Sequence, residues 1–330
     1  MLGRTLAPRT AIAWRPALQR CFARRRLTTL ERRVGDNLGT DDALFDQSNF
    51  DGSVYPDLPV VGPEMAGDID AAIRQRVQEE SAGEGLIIRT VAAQCLDAER
   101  IARKIERSGN LFRGSKGVRG ALLCVSGGDR GRRSGKVGSS ELKDSRFIIE
   151  AAASMRSRGE IPAHVDLWAV ANPMTDSVDS FKCKVDAGAR CFLTQPPFLA
   201  RRSKSWFEQV AGTEQARDGN VDVLVGVPII TSTKNLAFWF DLCGLSESTD
   251  LSQLLASFPD QAPEAAGSPR PSGPSNTPIS SDRMDALIEW NASFIRDVAS
   301  RMPGVAGMHV MPVTLSGLRM MNQVMQRAMS

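Results

Sequence analysis

Short apolar segments alternate with longer segments of helical periodicity along most of this chain. Seven such segments lie at 58–62, 85–93, 120–125, 165–171, 190–194, 221–230 and 306–313. Each is apolar on both faces, which is typical of strands in a parallel sheet that helices cover. Seven strand–helix units favour an α/β fold of the (β/α)8 TIM-barrel type, with a missing or degenerate first unit, over an open doubly wound sheet. The lack of a G-x-G-x-x-G motif after an early strand disfavours a dinucleotide-binding fold.

The first thirty residues differ in charge from the rest of the chain. They contain seven arginines and no Asp or Glu, and removing them from the 41 basic residues leaves 34 against 38 acidic ones. An arginine-rich, acid-free start predicts a transit peptide at 1–30, and the absence of serine there favours the mitochondrion. A plastid or cytoplasmic location and a disordered basic arm are the alternatives. The seven arginines of this segment are Arg4, Arg9, Arg15, Arg20, Arg24, Arg25 and Arg26.

Composition also marks a tether and an insertion. Residues 31–57 are polar and rich in Asp and Gly, which predicts a flexible tether before a barrel at 58–330. Six prolines occur among Ser, Gly and Ala at 257–281, so we expect a disordered surface insertion there. No apolar run approaches the ~20 residues that a membrane span needs. The mildly acidic body does not suggest a nucleic-acid-binding surface.

The sequence offers little material for metal chemistry. The six cysteines are scattered without a C-x-x-C pair, and the only histidines are His164 and His309. A zinc site, a disulfide framework and a Ser-His-Asp triad are therefore not indicated.

Three of the predicted strands are followed by polar or glycine residues. Gly127, Gly128 and Asp129 follow the strand at 120–125, Asn172 before a proline follows the strand at 165–171, and Gln195 follows the strand at 190–194, which ends in a threonine. The carboxyl ends of parallel strands meet at one mouth, where barrel enzymes bind their ligands. A glycine pair lets a ligand approach the backbone closely, and Asp129 adds a charge. Each residue also has an alternative to a role in ligand binding. Asp129 would then cap a helix or turn, Asn172 would only form a turn, and the Gln195 side chain would be solvated in a loop.

The order of these motifs resembles the methylenetetrahydrofolate reductase family. The resemblance includes the turn Lys184-Val-Asp-Ala-Gly-Ala189, the strand end Thr-Gln, the segment Val-Gly-Val-Pro-Ile-Ile and a last strand Met-His-Val-Met-Pro-Val. It covers 58–256 and 282–330. Members of this family are FAD-dependent barrels that reduce 5,10-methylenetetrahydrofolate to 5-methyltetrahydrofolate with NAD(P)H. The resemblance implies a flavoprotein oxidoreductase of folate one-carbon metabolism and methionine biosynthesis.

The resemblance also implies roles for individual residues. Gly127 and Gly128 would line the flavin, and Asp129 would lie near both the flavin and the folate pterin. Asn172 would contact the flavin ring or its ribityl chain, and Lys184 would reach its phosphate side. Gln195 would bind the folate. We expect Asp129, Asn172, Lys184 and Gln195 to surround one cavity.

The family's first strand has no recognisable counterpart in this sequence. In the family, that strand resembles E-F-F-P-P, and its glutamate is the proton donor to the folate. We therefore expect Asp129 to act as the catalytic acid, and flavin reduction to survive better than folate reduction. The first alternative is a non-catalytic barrel relative that binds folate, flavin or a partner, and the second is an unrelated barrel enzyme that binds phosphate at its Gly-rich loop. A homo-oligomer or a partner chain that completes the barrel is left open.

Overall fold

The computed structural model describes most of the chain from residue 27 onward. The described residues are 27–32, 49–57, 63–79, 85–93, 97–115, 117–126, 144–245, 249–259 and 281–330. Residues 1–26, which hold most of the predicted transit peptide, lie outside them. Among the described residues, no helix is long and apolar enough to cross a membrane.

The described residues form a closed barrel of eight parallel strands in sequential order, which confirms the predicted TIM-type fold. The first strand pairs with the second on one side and with the eighth on the other, so the chain closes on itself. The strands are β1 (Leu27–Glu31), β2 (Gly52–Tyr55), β3 (Leu86–Ala92), β4 (Arg119–Val125), β5 (Asp166–Ala171), β6 (Cys191–Thr194), β7 (Asp222–Pro228) and β8 (Gly307–Met311).

At least one described helix follows each strand from β2 onward, and three of the described helices lie between β7 and β8. The helices are α1 (Pro63–Glu79), α2 (Ala98–Asn110), α3 (Ser145–Ser157), α4 (Val178–Asp186), α5 (Ala200–Ala211), α6 (Glu214–Arg217), α7 (Thr233–Leu242), α8 (Thr249–Ala256), α9 (Ser281–Arg301) and α10 (Leu315–Met329). The outer helix α9 packs along α10, the last helix of the barrel.

Alternate residues of each strand point into and out of the barrel, and both sets are mainly apolar. The inward set packs as one cluster that includes Ile88, Trp168 and Leu193. The outward set, such as Phe192 and Val225, packs against the helices in a larger cluster. A strand that is buried on both faces has no polar side, which is why the sequence shows near-continuous apolar runs.

The first strand of the barrel is present, so of the two predicted possibilities, a missing or a degenerate first unit, the missing one is excluded. β1 covers the last residues of the segment assigned to the transit peptide, 1–30, and the first residue of the tether, and β2 lies inside the tether, 31–57. Both strands are short, and the inward positions of β1 include Thr29 and Glu31 instead of apolar residues. Neither strand therefore gives the apolar run that identified the others, although both are needed to close the barrel.

The other strands agree with the sequence prediction. The structure confirms six of the seven apolar segments as β3 to β8, whereas the segment at 58–62 lies outside the described residues. Most of the Pro-rich insertion, at 260–280, also lies outside them. The first residues of the insertion are anchored, because Phe258 packs edge-on against Trp290 of α9 with 5.0 Å between ring centroids.

Candidate functional site at the carboxyl ends of the strands

Asn172 directly follows β5, and both polar atoms of its side-chain amide form a hydrogen bond within the protein. Its Oδ1 accepts a hydrogen bond from the backbone N–H of Met174 at 3.1 Å, and its Nδ2 donates to the backbone oxygen of Cys243 at 2.8 Å. Its own N–H donates to the Asp176 carboxylate at 3.0 Å. Asn172 thus shapes the turn after β5, which agrees with the alternative that it is a turn-forming residue. It also joins this turn to Cys243 at the end of α7.

Lys184 lies on α4 and is 7% exposed. Its Nζ donates to the backbone oxygen of Val170 at 2.9 Å and lies 3.6 Å from the Asp176 carboxylate. The same carboxylate accepts from the N–H of Asn172, so one acidic side chain links the two residues. The chain then leaves α4 through Gly188, whose φ of +119° favours glycine and turns the backbone toward β6.

Gln195 extends β6 by one residue. Its N–H donates to the backbone oxygen of Ala171 at 2.8 Å, which continues the ladder to β5. Its side chain is half-buried, and its Oε1 accepts a hydrogen bond from the thiol of Cys243, with a sulfur–oxygen distance of 3.7 Å. The structure therefore brings Asn172, Lys184 and Gln195 into one connected cluster through Cys243 and Asp176.

The third predicted group lies outside the described residues. Gly127, Gly128 and Asp129 follow β4 directly, and β4 pairs with β5. The expectation that Asp129 shares a cavity with Asn172 and Gln195 stays a prediction.

A second polar cluster lies across the mouth, on β1 and β8, and the sequence analysis missed it. Thr29 and His309 are partners in the β1–β8 register, and the Thr29 hydroxyl lies 2.9 Å from His309 Nδ1. His309 Nε2 lies 3.5 Å from the carboxylate of Glu31, the last residue of β1. Thr29 and His309 are buried, whereas the Glu31 side chain is 26% exposed.

The two clusters lie toward the carboxyl ends of their strands, on different sides of the mouth. Leu27 packs against the inward cluster, so Thr29 and Glu31, two and four residues later, point to the same side. Asn172 and Gln195 follow β5 and β6, two residues after the inward Val170 and Leu193. In a closed ring of eight strands β5 lies opposite β1 and β6 lies three strands from it, so a ligand in the mouth would have Glu31 on one side and the ends of β5 and β6 toward the other.

A pattern of alternation could have located the missed residues. In the segment Leu-Thr-Thr-Leu-Glu, Thr29 and Glu31 share one face of a strand while Leu30 occupies the other. His309 shows the same signal, because it interrupts the apolar last strand at an inward position.

The flavin roles that the resemblance implies fit poorly with two of the described residues. Both Asn172 polar atoms have partners within the protein, and the Lys184 ammonium is held by Val170 and Asp176. A bound flavin would have to displace these contacts. The described part of the chain also shows no group of three or more His, Cys, Asp or Glu side chains that could hold a metal ion.

Two surface cavities lie apart from this mouth. One, of about 480 Å³, has Arg74, Asn110 and Arg113 in its wall beside the amino end of β4. The other, of about 330 Å³, lies between α9 and α10 and includes Asp285, Gln323 and Arg327. Neither contains a residue of the two polar clusters.

Comparisons with known proteins give only distant likenesses. No family model matches the chain, and no curated protein matches it. A protein from Clostridium thermocellum that binds two copies of 5-methyl-5,6,7,8-tetrahydrofolic acid is 11% identical, with a TM-score of 0.42 over 96% of this chain and 98% of that one. A xylanase from Cellvibrio japonicus is 9% identical, with a TM-score of 0.47 over 87% and 86%. A 2,3-dimethylmalate lyase is 14% identical, with a TM-score of 0.40 over 66% and 71%. At TM-scores below 0.5 these likenesses carry no argument, and the barrel assignment rests on the strand order itself.

Proposed function

We propose that this chain is a folate-binding barrel of one-carbon metabolism that reduces 5,10-methylenetetrahydrofolate to 5-methyltetrahydrofolate with NAD(P)H. The observation that carries the proposal is the presence of Glu31 at the carboxyl end of β1 and of Gln195 at the carboxyl end of β6, around the same mouth. The family that the sequence resembles has a glutamate on its first strand and a glutamine after a threonine at a later strand end. The position of Glu31 supports the resemblance at the point where the sequence alone lacked a counterpart.

The proposed reaction needs an acid at the folate. Reduction adds a hydride to the methylene carbon, breaks the bond from that carbon to one nitrogen, and leaves that nitrogen in need of a proton. A protonated Glu31 at the mouth would donate this proton and become a carboxylate. We therefore propose Glu31 as the catalytic acid in place of Asp129.

Thr29 and His309 would hold Glu31 in place. With Nε2 of His309 protonated, this N–H would face one oxygen of the Glu31 carboxyl group and leave the other oxygen to carry the acid proton, while the Thr29 hydroxyl would donate to Nδ1. A side chain held in this way keeps its orientation when the ligand arrives.

A hydride donor is also needed, and FAD reduced by NAD(P)H supplies that chemistry in the family. Because Asn172 and Lys184 are engaged elsewhere, we propose that Gly127, Gly128 and Asp129 make the flavin contacts. We also propose that the protein acts in the mitochondrion, on the basis of its arginine-rich start.

The internal engagement of Asn172 and Lys184 favours a second candidate, a barrel that binds folate without reducing it. One preparation separates the two. The reductase should be yellow, lose its flavin absorbance anaerobically with NADH or NADPH, and regain it on addition of 5,10-methylenetetrahydrofolate. A colourless protein that binds 5-methyltetrahydrofolate in calorimetry would support the second candidate, and a protein that binds neither flavin nor folate would refute both.

A further inference from the structure

Cys243 directly follows α7 and contacts both polar residues at the ends of β5 and β6. Its backbone oxygen accepts from Asn172, and its thiol donates to Gln195. These partners precede it by 71 and 48 residues, so the fold alone brings the three together. The resemblance to the reductase family assigns no role to Cys243.

The thiol is suited to act only as a hydrogen-bond donor. Cys243 is 1% exposed, and burial raises its pKa to about 12, so the proton stays on the sulfur at neutral pH. The amide oxygen of Gln195 faces this thiol. Since the oxygen and nitrogen of an amide diverge from the same carbon, Nε2 and its two N–H donors point away from Cys243.

The thiol is also held firmly. The N–H of Cys243 donates to the backbone oxygen of Trp239 at 2.9 Å, which ties it to the last turn of α7. In the same turn, Phe240 packs edge-on against Phe198 with 5.1 Å between ring centroids. Because Phe198 lies three residues after Gln195, the donor and its acceptor belong to segments that are packed together.

We propose that Cys243 is a positioning residue that fixes the amide of Gln195, so that Gln195 presents N–H donors to an acceptor atom of the ligand in the mouth. This inference deepens the proposed function and rests on it for the identity of the ligand. A tetrahydrofolate pterin carries a ring carbonyl and ring nitrogens that accept such hydrogen bonds. Gln195→Glu, which offers only acceptors when ionised, should therefore weaken binding more than Gln195→Ala does.

Calorimetry with 5-methyltetrahydrofolate on the full chain tests the inference. Cys243→Ala should weaken binding about five-fold, the equivalent of one lost hydrogen bond, and Cys243→Ser should recover most of the loss because a hydroxyl also donates. Cys124→Ala is the matched control. Cys124 is also a buried thiol, but its partner is the backbone oxygen of Leu122 in its own strand. The inference is wrong if Cys243→Ala binds as tightly as the parent, or no less tightly than Cys124→Ala.

A second readout does not depend on the ligand. The side-chain amide resonance of Gln195, assigned by its loss in Gln195→Ala, should move in Cys243→Ala and stay in place in Cys124→Ala. If the parent binds no folate but this resonance moves, the proposed function fails and the positioning role stands. An unmoved resonance overturns the positioning role whatever the parent binds.

Discussion

Gly307 is the position where closure of the barrel can be tested most sharply. A Cβ atom built there would lie 1.9 Å from the backbone oxygen of Leu27 and 2.8 Å from its carbonyl carbon. Non-bonded heavy atoms need more than about 3 Å, so Gly307→Ala must push β1 and β8 apart by about 1 Å. The seam includes the hydrogen bond from Leu27 N–H to Ala306 oxygen, which is already 3.3 Å long.

The expected cost follows from these contacts. Overpacking costs about 1–3 kcal/mol, and one or two seam hydrogen bonds add about 1 kcal/mol each, so the free energy of unfolding should fall by about 2–5 kcal/mol. For a chain of 330 residues, whose entropy of unfolding is about 0.7 kcal/mol per K, that loss lowers the Tm by roughly 3–7 °C.

Thermal unfolding followed by circular dichroism provides the assay, with Gly159→Ala as the control. Gly159 has a φ of +76°, and a Cβ atom built on it would meet no neighbour within 4 Å, so its substitution adds only backbone strain of about 1 kcal/mol. A Gly307→Ala protein that melts with the control would show that residues 27–31 do not pass beside Gly307. The assignment of β1 as the closing strand would then be wrong.

Three further predictions concern the cluster at the ends of β5 and β6. Asn172→Ala should destabilise the protein by about 2 kcal/mol in urea unfolding because it removes two hydrogen bonds. Asn172→Asp keeps the acceptor for Met174 but sets a carboxylate oxygen against the Cys243 backbone oxygen and near the Asp176 carboxylate, so it should cost at least as much, and a clearly smaller loss would contradict this. Lys184→Met should lower the free energy of unfolding by about 2–3 kcal/mol because it leaves the Asp176 carboxylate without its cation. Any flavin affinity should fall no more than this loss of stability explains. A larger, specific loss of flavin would support the predicted contact of Lys184 with the flavin phosphate. Burial raises the pKa of Cys243 to about 12, so its thiol should resist alkylation at neutral pH while the exposed Cys183 reacts. Peptide mass spectrometry measures the labelling of each cysteine. Rapid labelling of Cys243 in the folded protein would refute its burial.

Much of the fold could be predicted from the sequence because burial on both faces makes six strands mainly apolar. β1 could not be predicted, because the polar Thr29 and Glu31 occupy inward positions of the strand. β2 could not be predicted either, because it is only four residues long. The local signal for each was weak, and pairing with neighbours in the barrel determines their structure instead.

The site shows the same division between local and distant information. Asn172 and Gln195 could be located because polar residues at the ends of apolar strands are a local pattern. Their link through Cys243 could not be predicted, because Cys243 lies 71 and 48 residues after them in the chain. The contact between Thr29 and His309 could not be predicted either, because these two residues are 280 positions apart. Only closure of the barrel brings these two together, and the sequence does not show that β8 returns to β1.

Glu31→Gln tests the central claim most directly, because it removes the proposed acid and nearly preserves its shape. Two rates are measured anaerobically in the same preparation: reduction of the bound flavin by NAD(P)H, and its reoxidation by 5,10-methylenetetrahydrofolate. The account predicts that the first rate stays within about two-fold of the parent, whereas the second falls by about a hundred-fold or more. A variant that reduces the folate as fast as the parent would contradict the account, since the acid would then have to lie elsewhere than Glu31.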